Sequence, residues 1–384
     1  MTNTRELEFD IVLATRNRQR VLQLSIPLML AQNRLPRRFI VVDSSDDHSA
    51  TRRAVEDAFN RRKTSVQLLI LESPIAGSSR QRNIGLQCVG SRVVIFPDDD
   101  VLWYPGTADA IMRIYEKDSD GEVGCVATSV APVCPEGVFP PSEAPYQLEL
   151  RDRVARNLRK VLGPIEGKLF SDPINPGESW MEVWGAKTPP TWLQDEDAEL
   201  CGPVFGYRMS FRTEAIRGLG GFDERLGRYS MFEDSDASLG SLRTHMNVCS
   251  RRAKVFHYRV PGERVSGSEF GMMAILNRTY VVCKHSLPGS TARRRLKRYL
   301  YYKSARYLLQ TYTDYGRKRF WGAIHALPAA RSLIHAPIEE LSNRYMKDRT
   351  SLVERSAARG SGVKTDPRSI GQAAYDTKST NNPR

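Results

Sequence analysis

No stretch of this sequence approaches the roughly 18 consecutive apolar residues that a membrane-spanning helix needs. The opening residues Met1-Thr2-Asn3-Thr4-Arg5-Glu6 form no secretory apolar core, so a cytoplasmic protein is expected. The six cysteines (Cys88, Cys125, Cys134, Cys201, Cys249, Cys283) have no CxxC spacing, which argues against a zinc site or a disulfide framework and leaves reduced, mostly buried thiols. Glycine is missing from Thr15-Arg16-Asn17-Arg18, the turn after the first apolar run, so no glycine-rich phosphate loop opens there. Acidic residues are in the minority, 44 Asp and Glu against 57 Lys and Arg. The resulting net charge of +13 suits attraction to nucleic acid, anionic lipid or phosphorylated substrates. With 384 residues, 40% of them hydrophobic, the chain can bury the core of one large domain plus an appendage.

The first 130 residues alternate short apolar runs with longer amphipathic ones, the pattern of repeated βα units on a parallel sheet. Strands are predicted over 9–14, 39–42, 66–71, 92–96 and 123–130, and helices over 21–32, 50–62, 79–88 and 105–117. From 131 to 200 the pattern loosens into a Pro-rich, charge-rich insertion with some helix over 146–161. Ordered segments return at 202–211, with helices expected over 213–218 and 234–246, a last strand over 247–257 and helix beyond Gly267. The division expected is a catalytic domain over 1–262, a basic helical region over 263–358 and a polar, disordered tail over 359–384.

Three carboxylates, Asp98, Asp99 and Asp100, follow the buried-type run Val93-Val94-Ile95-Phe96. In open α/β sheets such strand ends line the ligand crevice. Adjacent like charges repel, so a role at this place needs either exposure or a cation that offsets them. The other strand ends are also polar: Thr15-Arg16-Asn17-Arg18, Asp43-Ser44-Ser45-Asp46-Asp47 and Gly77-Ser78-Ser79-Arg80-Gln81-Arg82-Asn83. Downstream stand Gly220-Gly221-Phe222-Asp223-Glu224 and Phe232-Glu233-Asp234-Ser235-Asp236. Over roughly residues 8–260 this ordered set resembles the family 2 glycosyltransferases of the GT-A fold.

The resemblance implies a mostly parallel nucleotide-binding sheet flanked by helices, and inverting sugar transfer from a nucleoside diphosphate sugar, UDP-sugar favoured, to a saccharide or lipid-linked acceptor. It implies a DxD-type metal site for Mg²⁺ or Mn²⁺, with Asp100 on the metal, Asp98 and Asp99 near the ribose and the metal's waters, and His257 at a position where some relatives carry a metal-binding histidine. A packed or surface histidine is the other reading of His257. Hard cations of this kind prefer carboxylate and phosphate oxygens. The resemblance further places Thr15 and Arg16 near the base, Asp43 as an acceptor for a base N–H and Arg82 toward the phosphates. The family often has Pro at Ala14 and an acidic residue at Ser44, and Asp43 also reads as a turn residue. Inverting transfer needs a base for the acceptor hydroxyl. The resemblance gives that role to Asp234, with Glu233 supporting the acceptor or sharing the role, while Asp234 as the N-cap of the following helix is a compatible reading.

Much of the positive charge lies over 293–321, interleaved with Tyr299, Tyr301, Tyr302, Tyr307, Tyr312 and Trp321. A helical pair packed on the catalytic domain comes first. Peripheral contact with an anionic membrane, at its cytoplasmic face and near a lipid-linked acceptor, follows closely. Nucleic acid comes last, because no recognised binding module accompanies the charge. Two rival functions stay open: a sugar nucleotidyltransferase, which the glycine-free first turn disfavours, and a basic binding protein on an inactive scaffold, which the retained carboxylates disfavour.

Overall fold

A computed structural model of the protein describes residues 7–138, 170–175, 179–185, 187–259 and 265–360. The helix expected over 146–161 and the tail beyond 360 lie outside the described residues. The chain opens with β1 (Phe9–Thr15), α1 (Gln19–Met29), β2 (Arg38–Asp43), α2 (His48–Asn60), β3 (Gln67–Glu72), α3 (Ser78–Gln87) and β4 (Val93–Phe96). The β-branched runs of β1, β2 and β4 are buried on both faces, as parallel strands between helical layers must be. There follow β5 (Val101–Trp103), α4 (Thr107–Lys117) and β6 (Val123–Val130). After two short helices, α5 (Trp180–Trp184) and α6 (Trp192–Asp195), come β7 (Ala198–Leu200), β8 (Met209–Arg212), α7 (Thr213–Gly218), α8 (Glu233–Ser241) and β9 (Met246–His257).

The sheet order is β3-β2-β1-β4-β8-β6-β9-β5, with β7 on β9. Strands β3, β2, β1 and β4 are parallel neighbours, and beyond β4 the sheet is mixed, because β8 runs antiparallel to β4 and β6. One face packs the core around Leu13, Leu22, Ile111 and Trp103, the other the core around Val42, Phe96, Phe211 and Phe222. The ladder between β1 and β4 extends past the strands through an Ala14–Asp98 bridge, which sets the acidic triplet beside the turn after β1. Sequence patterning missed β5, a three-residue strand directly after the triplet that pairs antiparallel with β9.

Four helices complete the described chain: α9 (Gly267–Lys284), α10 (Thr291–Leu308), α11 (Asp314–His335) and α12 (Ile338–Gly360). They share an apolar core that includes Ile275, Leu296, Ala326 and Leu341 and reaches Leu226 and Leu239 of the sheet-bearing part. A side chain at Gly271 would run into the Arg319 carbonyl, so its absence lets α9 and α11 cross closely. Polar anchors add direction. Lys284 donates to Asp223 (2.9 Å) and Asp236 (2.7 Å), His285 contacts Asp236 at 2.8 Å, and Arg225 and Tyr280 also bond Asp223. All six cysteines are free, but only Cys125 and Cys283 are fully buried, so burial of the thiols is less complete than expected. No helix among the described residues is long and apolar enough to cross a membrane.

Candidate active site

The turns after β1, β3 and β4 open into one cleft of about 1430 Å³, closed on its far side by residues 228–235 and by α9 and α10. Thr15, Arg16, Arg82, Asp98, Asp99, Asp100, Glu233, Asp234 and His257 all line it. Asp43 does not line it: Asp43 is buried, accepts from the Ser45 N–H (2.9 Å) and hydroxyl (2.5 Å), and meets His48 Nδ1 at 2.7 Å. Those bonds suit a turn residue after β2. The contact with Asp43 also raises the His48 pKa.

Each member of the triplet faces a different set of partners. Asp98 accepts from Arg82 (2.7 Å). Asp99 is buried and accepts from the Thr15 hydroxyl (2.8 Å) and from Arg18 (2.9 Å). Asp100 accepts from Arg18 (2.9 Å) and lies 3.3 Å from His257 Nε2. Burial pushes the Asp99 carboxyl up to about 7 against the pull of Arg18, and burial also raises Asp98. Burial would raise Asp100 as well, but His257 and Arg18 outweigh it and hold that carboxyl below its usual range. Oxygens of Asp98 and Asp100 and a nitrogen of His257 lie within 4.8 Å of one another. Two carboxylates and an imidazole that close suit a hard divalent cation that keeps some water or phosphate ligands. The residues therefore fit the implied metal, with Tyr207 stacked on the His257 ring at 4.3 Å to fix its orientation.

Arg82, carried by α3 and buried, links the two acidic groups of the cleft: it bonds Asp98 and, at 2.6 Å, Glu233. Its place is between carboxylates, on the lining of the cleft. Glu233 also accepts from the Ser78 hydroxyl (3.0 Å), and burial lifts its carboxyl to about 7 despite Arg82. Asp234 accepts from the Gly206 N–H (2.6 Å) and, through its other oxygen, from the Ser235 N–H (2.6 Å). Burial raises Asp234 against those N–H groups. Asp234 is not the N-cap of α8; the helix starts one residue earlier, after Phe232, whose φ is +78°. Ser230, at φ +46°, is left-handed too, so the loop delivering this acidic pair holds strained backbone, as functional loops often do. Arg212 is far from such a role: it pairs with the buried Asp118 at 2.6 Å and braces β8.

Residues 10–133, the segment that supplies the triplet and the first three strand-end turns, match the sequence model described as Glycosyl transferase family 2. That segment is similar to the family 2 glycosyl transferases. No curated protein sequence matches the glycosyltransferase. Solved structures do resemble it in fold. S. aureus TarS 1-349 in complex with UDP-GlcNAc is 12% identical over 92% of this chain and 92% of that chain, with a TM-score of 0.52. GalNAc-T7 with UDP, GalNAc and Mn2+ is 14% identical over 94% of this chain and 58% of that chain, also with a TM-score of 0.52.

Three cleft residues escaped sequence reasoning. Arg18 belongs to the polar turn after β1, yet nothing in that turn signals that it clamps Asp99 and Asp100 together. Arg278 and Lys303 come from helices nearly two hundred residues beyond the triplet, and nothing local in their sequence points at the glycosyltransferase cleft.

Proposed function

We propose that this glycosyltransferase moves a sugar from a nucleoside diphosphate sugar to a hydroxyl of a saccharide or lipid-linked acceptor, with inversion at the anomeric carbon. The observation that carries the reading is the joining, by Arg82, of the Asp98–Asp100–His257 group to the Glu233–Asp234 pair within one cleft. Asp98, Asp100 and His257 would hold Mg²⁺ or Mn²⁺. When bound, such an ion supplies Lewis-acid stabilisation to the departing diphosphate.

Asp234 is the base in this scheme. The Gly206 and Ser235 N–H groups fix its carboxylate, so it can take the acceptor hydroxyl's proton as the oxygen attacks. Glu233, held by Arg82 and Ser78, keeps the loop in place and adds negative charge beside the base. Thr15 and Arg18 hold Asp99 at the floor, and Arg16 stands at the nucleotide end. UDP is favoured as the carrier, in line with the UDP-GlcNAc and UDP held by the two fold relatives. The testing experiment follows release of UDP from UDP-sugars with Mn²⁺. Asp234→Asn is expected to lower kcat by about 10²- to 10⁴-fold while leaving UDP affinity within about twofold. Equal loss of UDP affinity would put Asp234 on the wrong ligand.

A corner of the helical part supports a second element of this reading, peripheral contact with anionic lipid. Leu308, Leu309, Tyr312 and Trp321 are exposed there, Leu309 by 76%, beside exposed Arg317 and Lys318. Vesicles with anionic lipid should retain the chain, and Leu309→Glu with Trp321→Glu should release it; equal retention of the double variant would remove this element.

A further inference from the structure

On the far wall of the cleft, Lys303 of α10 stands among charges of its own sign. Its ammonium lies 6.0 Å from the Tyr299 ring centre and 5.4 Å from that of Tyr307, and it makes no ion pair or hydrogen bond among the described residues. The neighbours that act on it most are Arg278, Arg306 and Arg319, opposed by Asp172. Asp172 is already committed, since both its oxygens accept from Arg278. Arg278 itself is buried and sandwiched between the Phe232 ring (4.4 Å) and the Tyr299 ring (4.9 Å). The described carboxylate that acts most on Lys303 is thus already occupied. Burial and these like charges bring the Lys303 pKa down to about 8. A half-buried ammonium with no ion pair among the described residues, facing a cleft, is costly to maintain for structure alone.

The wall also has a defined place relative to the chemistry. Phe232, which covers Arg278, immediately precedes Glu233 and Asp234, and all of them line the same cleft as Lys303. The metal-type group sits on the β1 and β4 turns, so the donor's diphosphate has its own partners there. An anion beside Lys303 would belong to the other substrate.

We infer that Lys303, backed by Arg278 and flanked by Tyr299 and Tyr307, binds a phosphate group carried by the acceptor. The inference rests on the glycosyl-transfer reading for the word acceptor, but the anion site stands on its own geometry. A lysine ammonium is a compact point charge suited to phosphate, and the Arg278 guanidinium behind it favours an anion over a neutral group. The carrier of the group is a lipid-linked phosphate or a soluble saccharide phosphate, two sources of the same chemistry.

The test uses methyl phosphate as probe, titrated calorimetrically into the full chain, once with EDTA and once with saturating UDP and Mn²⁺. Binding in both conditions is expected, at least tenfold weaker in Lys303→Met and within about threefold of wild type in Lys303→Arg. Above about pH 8 the affinity should fall in wild type, as Lys303 loses its proton, and stay flat in Lys303→Met. The same affinity in Lys303→Met, or no binding to wild type, overturns the inference. Thermal unfolding controls for folding: Lys303→Met should unfold at or above the wild-type temperature, because it removes a cation that stands among like charges. If that variant fails to fold, reductively methylated wild-type protein still reports, since the Lys303 resonance must shift on methyl phosphate addition and its constancy refutes the assignment. Absence of UDP, GDP and dTDP binding alongside Lys303-dependent methyl phosphate binding would sink the transfer reading and spare the site. With transfer established, KM for a lipid-linked phosphate in micelles and for a soluble sugar phosphate is compared between wild type and Lys303→Met. The carrier whose KM rises at least tenfold is the source, and an unchanged KM for both overturns the acceptor assignment.

Discussion

The chemistry of this cleft depends on how a few buried carboxylates share two arginines. Arg18 clamps Asp99 and Asp100, and Arg82 ties Asp98 to Glu233, so removing either guanidinium leaves buried like charges facing one another. Arg82→Met is therefore expected to abolish transfer and to destabilise the fold by about 3 kcal/mol, measurable by urea unfolding. An intact fold with normal activity would mean that Glu233 and Asp98 need no bridge. The raised carboxyls also set a pH limb. Burial lifts Glu233 to about 7 and moves Asp234 the same way, and a base acts only when ionised. Below its folded pKa the pair is protonated, so kcat/KM should climb from about pH 6 to pH 8 and then level off. Glu233→Gln should move that limb toward lower pH, because it removes the neighbouring negative charge; a limb that stays in place would detach it from this pair.

At the scale of elements, the strand-end turns were legible in the sequence. A β-branched run followed by an abrupt polar turn is the mark of a buried strand reaching the surface, and β1 to β4 with their turns lie close to where that pattern puts them. Asp43 was harder to place, since a strand-end aspartate serves a turn or a ligand equally well, and its bonds to Ser45 and His48 are not legible in the sequence. The three-residue β5 had no periodicity to reveal it. Nor did local sequence disclose that Asp223 and Asp236 of the second motif set would anchor α9. Burial alone would raise both carboxyls, yet bonds from Arg225 and Lys284 hold Asp223 below the usual range, and bonds from His285 and Lys284 do the same for Asp236. A carboxyl depressed in the folded state contributes stability that is complete above the unfolded value, near 4, and lost as pH falls through the folded value. Lys284→Met should therefore cost about 2 kcal/mol at pH 7, read by urea unfolding, with the difference from wild type shrinking below about pH 4. A difference that holds in acid would assign the loss to packing. Gly271→Val, which drives a side chain into the α9–α11 crossing, should lower the melting temperature at every pH.

Across the whole molecule, the sheet supplies one wall of the cleft and the helical part the other. The sheet wall carries the carboxylates of the triplet beside the turn after β1, with the acidic pair delivered by the loop before α8. The helical wall carries Arg278, Tyr299 and Lys303, residues that look like surface charge in the sequence and enter the site only because α9 and α10 fold back over the 228–235 loop. Positive charge opposite a metal-type carboxylate group gives the cleft two electrostatic ends; in the proposed reaction one takes a cation with its diphosphate and the other an anionic group. The most direct test of the account is calorimetric titration of UDP into the full chain with Mn²⁺ and again with EDTA. Binding should be at least tenfold tighter with Mn²⁺, and Asp100→Asn should erase that difference. Equal affinity with and without Mn²⁺, or no binding of UDP, GDP or dTDP under either condition, would contradict it.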